Sequence, residues 1–203
     1  DVSNFSVNGS YDFKVNDSTL LRLGGGYLDG SAYCQPFPVV HFQNCDGVKN
    51  PAWGVHGVFN FRRFTFMAEF ARTTEVWPGT HNPNPPLDVF EADTVSAFDL
   101  GAKYSATIQS IKKTLEVSIE FSQFDSGPSG SPWENQSQFV LGLQMFWAKN
   151  LKGFAEYIRT DGYVPLNFIS GPDPFHPRKL PGTTHSSSDT KSNVFLLGFR
   201  MAI

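Results

Sequence analysis

Apolar or small uncharged side chains recur at every second position in nine stretches of this chain. No Asp, Glu, Lys or Arg occupies any of those positions, and the positions between them carry most of the polar residues. Successive side chains of a β-strand point to opposite faces, so the pattern predicts nine strands that each have one uncharged face. The nine sets run from Phe5 to Phe13, Leu21 to Tyr27, Trp53 to Phe61, Phe64 to Phe70, Phe98 to Tyr104, Leu115 to Phe121, Phe139 to Trp147, Leu151 to Tyr157, and Phe195 to Ile203.

The connections between these predicted strands alternate in length, which favours a meander of hairpins. Short turns are expected near Asn16, Arg62 and Ala148, and a somewhat longer connection follows Tyr104. The long connections are rich in Pro, Gly, Asn and Ser, and they cover residues 28–52, 71–97, 122–138 and 158–194. Short turns on one side and long loops on the other are typical of outer-membrane barrels, where they are periplasmic and extracellular respectively.

Aromatic residues mark the long-loop end of every predicted strand, and we call this set the loop-side belt. Its members are Phe5, Tyr27, Trp53, Phe70, Phe98, Phe121, Phe139, Tyr157 and Phe195. A second, incomplete turn-side belt consists of Phe13, Phe61, Phe64, Tyr104 and Trp147. Aromatic side chains are enriched at the two membrane interfaces, so two such belts are expected in a transmembrane barrel.

The sequence therefore predicts an all-β fold, a transmembrane antiparallel up-and-down β-barrel, with residues 1–203 as a single barrel segment. A soluble β-sandwich or small barrel is the alternative, but its outer face should be densely charged. Here the second face mixes small with charged residues, which suits a partly hydrated lumen. The residues predicted to face that lumen are Asp12, Lys14, Arg22, His56, Glu69, Asp99, Lys103, Glu116, Glu120, Gln144, Lys152, Glu156 and Arg200. Because this set carries both charge signs, we expect salt bridges and transverse fields and no strong preference for anions or cations.

Nine strands make an incomplete barrel, because bacterial single-chain barrels usually have an even number of strands and both termini in the periplasm. Counting back from the last strand puts Asp1 on the extracellular side, so we expect an odd number of further strands, either N-terminal on the polypeptide or on a partner chain. The run 194–203 resembles the terminal strand of outer-membrane proteins, although it ends on Ile203 where Phe is usual.

Composition and charge narrow the functional classes. The chain has 203 residues and a net charge of −3, so nothing electrostatic indicates nucleic-acid binding. No apolar run approaches the roughly 20 residues of a membrane helix. We find no nucleophile elbow, catalytic serine motif or acid pair, and expect neither an enzyme nor a cofactor.

The five histidines lack zinc-site spacing, so no metal site is predicted, although loop histidines such as His81 and His176 leave that option open. The two cysteines, Cys34 and Cys45, would form a disulfide in an oxidising compartment, with free or metal-linked thiols as the alternative.

One hairpin carries a family resemblance. The segment Pro51-Ala-Trp-Gly-Val-His-Gly-Val-Phe-Asn-Phe-Arg-Arg-Phe-Thr-Phe-Met-Ala-Glu-Phe resembles a hairpin of the LbtU-type siderophore porins, and Asp99-Leu-Gly-Ala-Lys-Tyr and Phe154-Ala-Glu-Tyr are similar to other hairpins of that family. The resemblance covers about the C-terminal half of such a barrel. It implies a bacterial outer-membrane location, a lipid bilayer and lipopolysaccharide as surroundings, and siderophore transport. The expected function is a porin-like channel for small solutes or a metal chelate, and a homotrimer is the assembly that porins often form. The alternative is a structural or adhesion barrel whose loops bind a partner protein or a surface layer.

Overall fold

A computed structural model describes residues 5–32, 50–77, 80–81, 87–148, 150–162 and 190–201. Nine β-strands account for most of these residues, and a short 3-10 turn lies at Leu87–Val89. The strands are β1 (Ser6–Asn16), β2 (Thr19–Ala32), β3 (Asn50–Phe61), β4 (Phe64–Thr73), β5 (Ser96–Ile108), β6 (Lys113–Asp125), β7 (Asn135–Ala148), β8 (Leu151–Gly162) and β9 (Thr190–Met201). No helix in the described ranges is long and apolar enough to cross a membrane.

All nine strands form one antiparallel sheet in the order β1 to β9, so each strand pairs with its sequence neighbours. The predicted nine-stranded up-and-down meander is confirmed. The sheet is open, because β1 and β9 are not paired with each other. A second sheet that would turn it into a sandwich does not occur in the part of the chain that the structure describes.

Tight turns join the strands at one end of the sheet. In the β1–β2 turn, the side chain of Asn16 accepts a hydrogen bond from the backbone N–H of Ser18 at 2.9 Å, an Asx turn that reverses the chain. In the β3–β4 turn, Arg62 adopts a left-handed φ of 54°. These two turns are also bonded to each other, since the Arg62 N–H donates to the Ser18 carbonyl at 2.8 Å.

The strands are longer than the alternating sets alone suggest. At the end of the strands away from the tight turns, β2 continues to Ala32 and β6 continues to Asp125, so the described sheet extends beyond the loop-side belt. On the turn side, β5 and β6 continue past Tyr104 until Ile108 pairs with Lys113, which leaves only residues 109–112 as the turn. Both cysteines, Cys34 and Cys45, lie outside the described residues.

The sheet has no hydrophobic core of its own. Among the described residues the only buried apolar side chains are Val95 and Trp133, at 8% and 7% exposure, and both lie in connections between strands. A soluble β-fold is held together by apolar side chains removed from water between two layers. A single layer whose strands bury no apolar side chain must find its apolar environment elsewhere.

Candidate functional site

The pairing register places all nine alternating sets on one side of the sheet, which we call the apolar face. One unbroken row of directly opposed residues crosses every strand on this face without a charged member. The row is Phe13, Leu21, Phe59, Phe66, Ala102, Ile119, Leu141, Tyr157 and Phe195. The nine uncharged sets of the sequence therefore form one continuous surface.

Side chains on the apolar face are widely exposed. Leu100, Ile119 and Leu141 expose 52%, 47% and 46% of their surface, although each lies on a strand with neighbours on both sides. Soluble monomers rarely present contiguous apolar patches larger than a few hundred Å². The outer wall of a membrane barrel has this character over its whole circumference.

Aromatic rings of neighbouring strands touch along the loop-side belt. The centroid distances are 6.0 Å for Phe5 and Tyr27, 5.4 Å for Trp53 and Phe70, 5.8 Å for Phe98 and Phe121, and 4.9 Å for Tyr157 and Phe195. Rings also meet in the turn-side belt, where Phe64 and Tyr104 lie 4.9 Å apart. Rings of neighbouring strands are thus in contact at several places along the belts predicted from sequence, and each such contact adds some stability through its edge or offset geometry.

The belts run obliquely to the hydrogen-bonding direction of the sheet. The uncharged row begins on β1 at Phe13, in the turn-side belt, and ends on β9 at Phe195, in the loop-side belt. Over eight strand spacings, about 38 Å, the stagger amounts to eight residues, about 26 Å. If the belts lie parallel to a membrane plane, the strands tilt by about 35°, which is the tilt of transmembrane barrels.

Charged residues return to the apolar face directly beyond the loop-side belt. Arg72 follows two residues after Phe70, and Arg159 follows two residues after Tyr157. The Tyr157 hydroxyl points the same way, donating a hydrogen bond to the Asn193 side chain at 2.6 Å. Between the belts, eight residues of β7 span about 26 Å along the strand, or about 22 Å after the tilt. This is close to the roughly 25 Å apolar band of outer-membrane barrels.

All thirteen residues predicted to face a lumen lie together on the opposite side, the polar face. Directly opposed pairs run across it, such as His56 with Glu69 and Glu69 with Asp99. That this face lines a lumen stays a prediction.

Opposite charges pair on the polar face, as expected from its mixed composition. The Arg22 guanidinium donates two hydrogen bonds to the Asp12 carboxylate, at 2.6 Å and 2.8 Å. The Lys103 ammonium lies 3.4 Å from the Glu116 carboxylate, which also accepts the Ser105 hydroxyl. Two further cations have other partners, since Lys152 donates to Gln144 and Lys14 pairs with Asp17 of the adjoining turn.

Most charges on the polar face lie at two levels, which the expectation of a mixed wall overlooks, although Glu116, five residues from Phe121, is an acidic side chain at the deeper level. An acidic row contains Glu69, Asp99, Glu120 and Glu156, each the immediate sequence neighbour of a loop-side belt residue. A basic row contains Arg22, Lys103, Lys152 and Arg200, each five residues from the belt residue of its own strand. Four residues of a tilted strand separate the two rows by about 11 Å. The signal was present in the sequence, in the pairs Glu-Phe, Phe-Asp, Glu-Phe and Glu-Tyr at the belt.

The two rows differ in how far they are neutralised. No salt bridge within the described ranges joins an acidic-row carboxylate to a cation, and Asp99 and Glu120 are diagonal neighbours on the paired strands β5 and β6. Arg22 and Lys103 of the basic row are paired, as described above. The loop-side level of the polar face is therefore strongly negative, while the deeper level is only partly positive. The described residues contain no cluster of three or more metal-ligating side chains.

A small packed core lies beyond the acidic row, in the β4–β5 and β6–β7 connections. The rings of Phe90 and Trp133 meet edge to face at 5.7 Å, and this contact joins the two connections. Thr73 and Val95 exchange backbone and side-chain hydrogen bonds at the base of the first connection. Sequence reasoning missed Trp133 as a member of this core. An isolated Trp in a Gly-, Ser- and Pro-rich connection was the available signal.

Of the histidines considered for loop metal binding, only His81 can be placed in a structural context. Its Nδ1 lies 2.7 Å from the Phe90 carbonyl oxygen, in the same small core. His176 lies outside the described residues.

The sequence matches no protein-family model and no curated protein. The likeness to LbtU-type siderophore porins rests on the quoted hairpins alone and stays a prediction.

Proposed function

We propose that this chain is part of a bacterial outer-membrane β-barrel whose polar face lines a channel for the passive passage of small solutes. The observation that carries the proposal is the apolar face: uncharged, exposed, bounded by aromatic belts, and followed by charges directly beyond the loop-side belt. Lipid stabilises such a surface, whereas water would oppose it.

The open edges of the sheet require further strands in this setting. Unpaired backbone N–H and C=O groups in hydrocarbon cost several kcal/mol each, so a lipid-exposed edge is not tolerated. With nine alternating strands, β1 and β9 run in the same direction, and direct closure would pair them in parallel. An odd number of added strands, from the same polypeptide or a partner chain, closes the barrel with antiparallel pairs throughout.

The channel assignment follows from the polar face. Its charged side chains and its small residues, such as Gly54 and Ala71, suit contact with water and leave space between them. Side chains of this kind tune selectivity in membrane barrels. Whether the solute includes a metal chelate such as a siderophore depends on the resemblance described above, as do the lipopolysaccharide environment and a trimeric assembly.

The second candidate is a structural or adhesion barrel whose loops contact another protein or a surface layer. The packed contact between Phe90 and Trp133 favours it to a degree, because an ordered loop surface loses little entropy on binding. This candidate shares the membrane wall with the first and differs only in lacking an open path.

Conductance separates the two. The full-length protein, purified in detergent, is added to a planar lipid bilayer, and a heat-unfolded sample serves as the control. The channel proposal predicts discrete current steps from the folded sample alone. Folded, membrane-inserted protein that passes no ion current would refute the channel and leave the scaffold.

A further inference from the structure

A groove crosses the polar face at the level of the loop-side belt. Its floor is made by the small side chains of Ala71 and Ala97, and Phe124 forms one wall. Gln136 and Gln138 supply amide groups on the far side, and the carboxylates of Glu69 and Asp99 line its lower edge.

The groove continues across β3 and β2 over further small residues. Gly54, Ala52 and Gly26 extend its floor beyond Ala71. Because none of these side chains projects far from the sheet, a solute can approach the backbone closely along this path. Gly26, Gly54, Ala71 and Ala97 are directly opposed on four neighbouring strands, and a floor that extends across them suits an extended, slender molecule.

The charged groups that face the groove favour a cation over an anion, although His56 also lines its continuation across β3. Its charged groups are carboxylates, its neutral polar groups include the carbonyl-bearing Gln side chains, and the Phe124 ring is 40% exposed. Within the described ranges, the nearest Lys or Arg side chains on the polar face belong to the basic row, about 11 Å deeper. That distance exceeds the Debye length of about 8 Å at physiological salt, so the positive charges of the basic row offset the negative potential in the groove only weakly.

We propose that this groove is a weak binding site for an organic cation, an ammonium or guanidinium group on a slender body, at the loop-side mouth of the channel. The carboxylates of Glu69 and Asp99 bind the charged group, and the Phe124 face contacts it or its body. The proposal rests on the channel function proposed above and deepens it by naming the class of solute that the mouth concentrates.

The first test compares arginine with citrulline, which replaces the guanidinium by a neutral urea group of similar shape. Each is added to the loop side of single wild-type channels carrying a KCl current. Arginine should reduce the current at about tenfold lower concentration than citrulline. Equal effects of the two solutes would overturn the cation site while leaving the channel intact.

The second test removes the charges. In the Glu69→Gln/Asp99→Asn variant, the permeability ratio of K⁺ to Cl⁻, measured from reversal potentials in a salt gradient, should fall about tenfold. Each unit charge some 6 Å from the ion path shifts the energies of K⁺ and Cl⁻ in opposite directions, and screening by salt roughly halves both shifts, so the ratio changes about threefold for each charge removed. The matched control is Asp12→Asn/Arg22→Gln, which also removes two charges but leaves the net charge unchanged, and its ratio should stay near that of the wild type.

The outcomes are distinguishable from failure of the channel itself. No conductance from any variant refutes the proposed function. Conductance with an unchanged permeability ratio in the Glu69→Gln/Asp99→Asn variant refutes only the cation groove.

Discussion

An arginine placed in the middle of the apolar face gives the sharpest energetic test of lipid contact. Leu143 lies four residues from Phe139 and four from Trp147, which puts it at the centre of the band on β7. Its side chain is 45% exposed, so Arg can be accommodated without steric overlap. In lipid, Leu143→Arg should cost about 2–4 kcal/mol of folding free energy, which lowers the folding equilibrium constant by about thirty- to a thousandfold.

Depth and face supply two matched controls on the same strand. Trp147→Arg lies in the turn-side belt, where a cation in a membrane barrel costs about 0–1 kcal/mol beyond the lost ring contacts. Gln144→Arg projects from the polar face opposite Glu116, and the nearby carboxylate offsets part of the repulsion from Lys152. The order of destabilisation should therefore be Leu143 first, with Trp147 and Gln144 well behind.

The assay is reversible folding into phospholipid vesicles, followed by denaturant titration with the folded fraction read from gel mobility before and after heating. If water covers the apolar face, Leu143→Arg is an exposed surface substitution and should stay within about 0.5 kcal/mol of the wild type. That result, or equal costs at Leu143 and Gln144, would refute the reasoning.

Three further predictions follow from particular contacts. Tyr157→Phe removes the hydroxyl that donates to Asn193 and should cost about 0.5–1.5 kcal/mol in the same titration; no loss would mean that the bond is not formed in the membrane. Trp133→Ala removes the largest member of the loop core, so limited proteolysis should cut residues 126–134 faster while the heat-sensitive gel shift of the sheet persists; simultaneous loss of both would contradict a locally packed core. Cys34 and Cys45 should resist alkylation in the unreduced protein and react after reduction, as seen by mass spectrometry, whereas labelling without reductant would exclude the predicted disulfide.

The number of strands and the face on which each side chain lies could be predicted from the sequence, because both follow from an alternation that repeats every two residues. Each set, such as Trp53 to Phe61, lacks charge on one face, and tight turns at Asn16 and Arg62 fix which strands are neighbours. Once neighbours are fixed, a one-residue register slip would move every apolar side chain to the other face, so the register follows as well.

Strand ends and loop packing could not be read in the same way. The sheet continues past Tyr157 to Gly162, where alternating charge and polarity no longer distinguish a strand from a loop. The contact between Phe90 and Trp133 joins two separate connections, and no local pattern encodes a contact between residues so far apart in sequence.

The two charge levels on the polar face could be predicted from the sequence only in part. Alternation along the strands places Glu69 and Asp99 on the same face as Lys103 and Arg200, but it does not by itself give their heights relative to one another. Measuring each position from the belt residue of its own strand reveals the two levels, because the belts define a common plane across tilted strands. The salt bridge between Asp12 and Arg22 needed the register, which only the structure supplies.

Nitroxide scanning along β7 tests most directly whether lipid contacts the apolar face. Single cysteines are placed at each position from Phe139 to Trp147 in a background without Cys34 and Cys45, labelled, and reconstituted into vesicles. Collision rates are then measured with oxygen, which concentrates in hydrocarbon, and with a water-soluble nickel chelate. Oxygen should dominate at the odd positions 139–147 and peak near Leu143, and the chelate should gain at the even positions. Equal access of the chelate to odd and even positions would contradict the membrane wall on which the proposed channel depends.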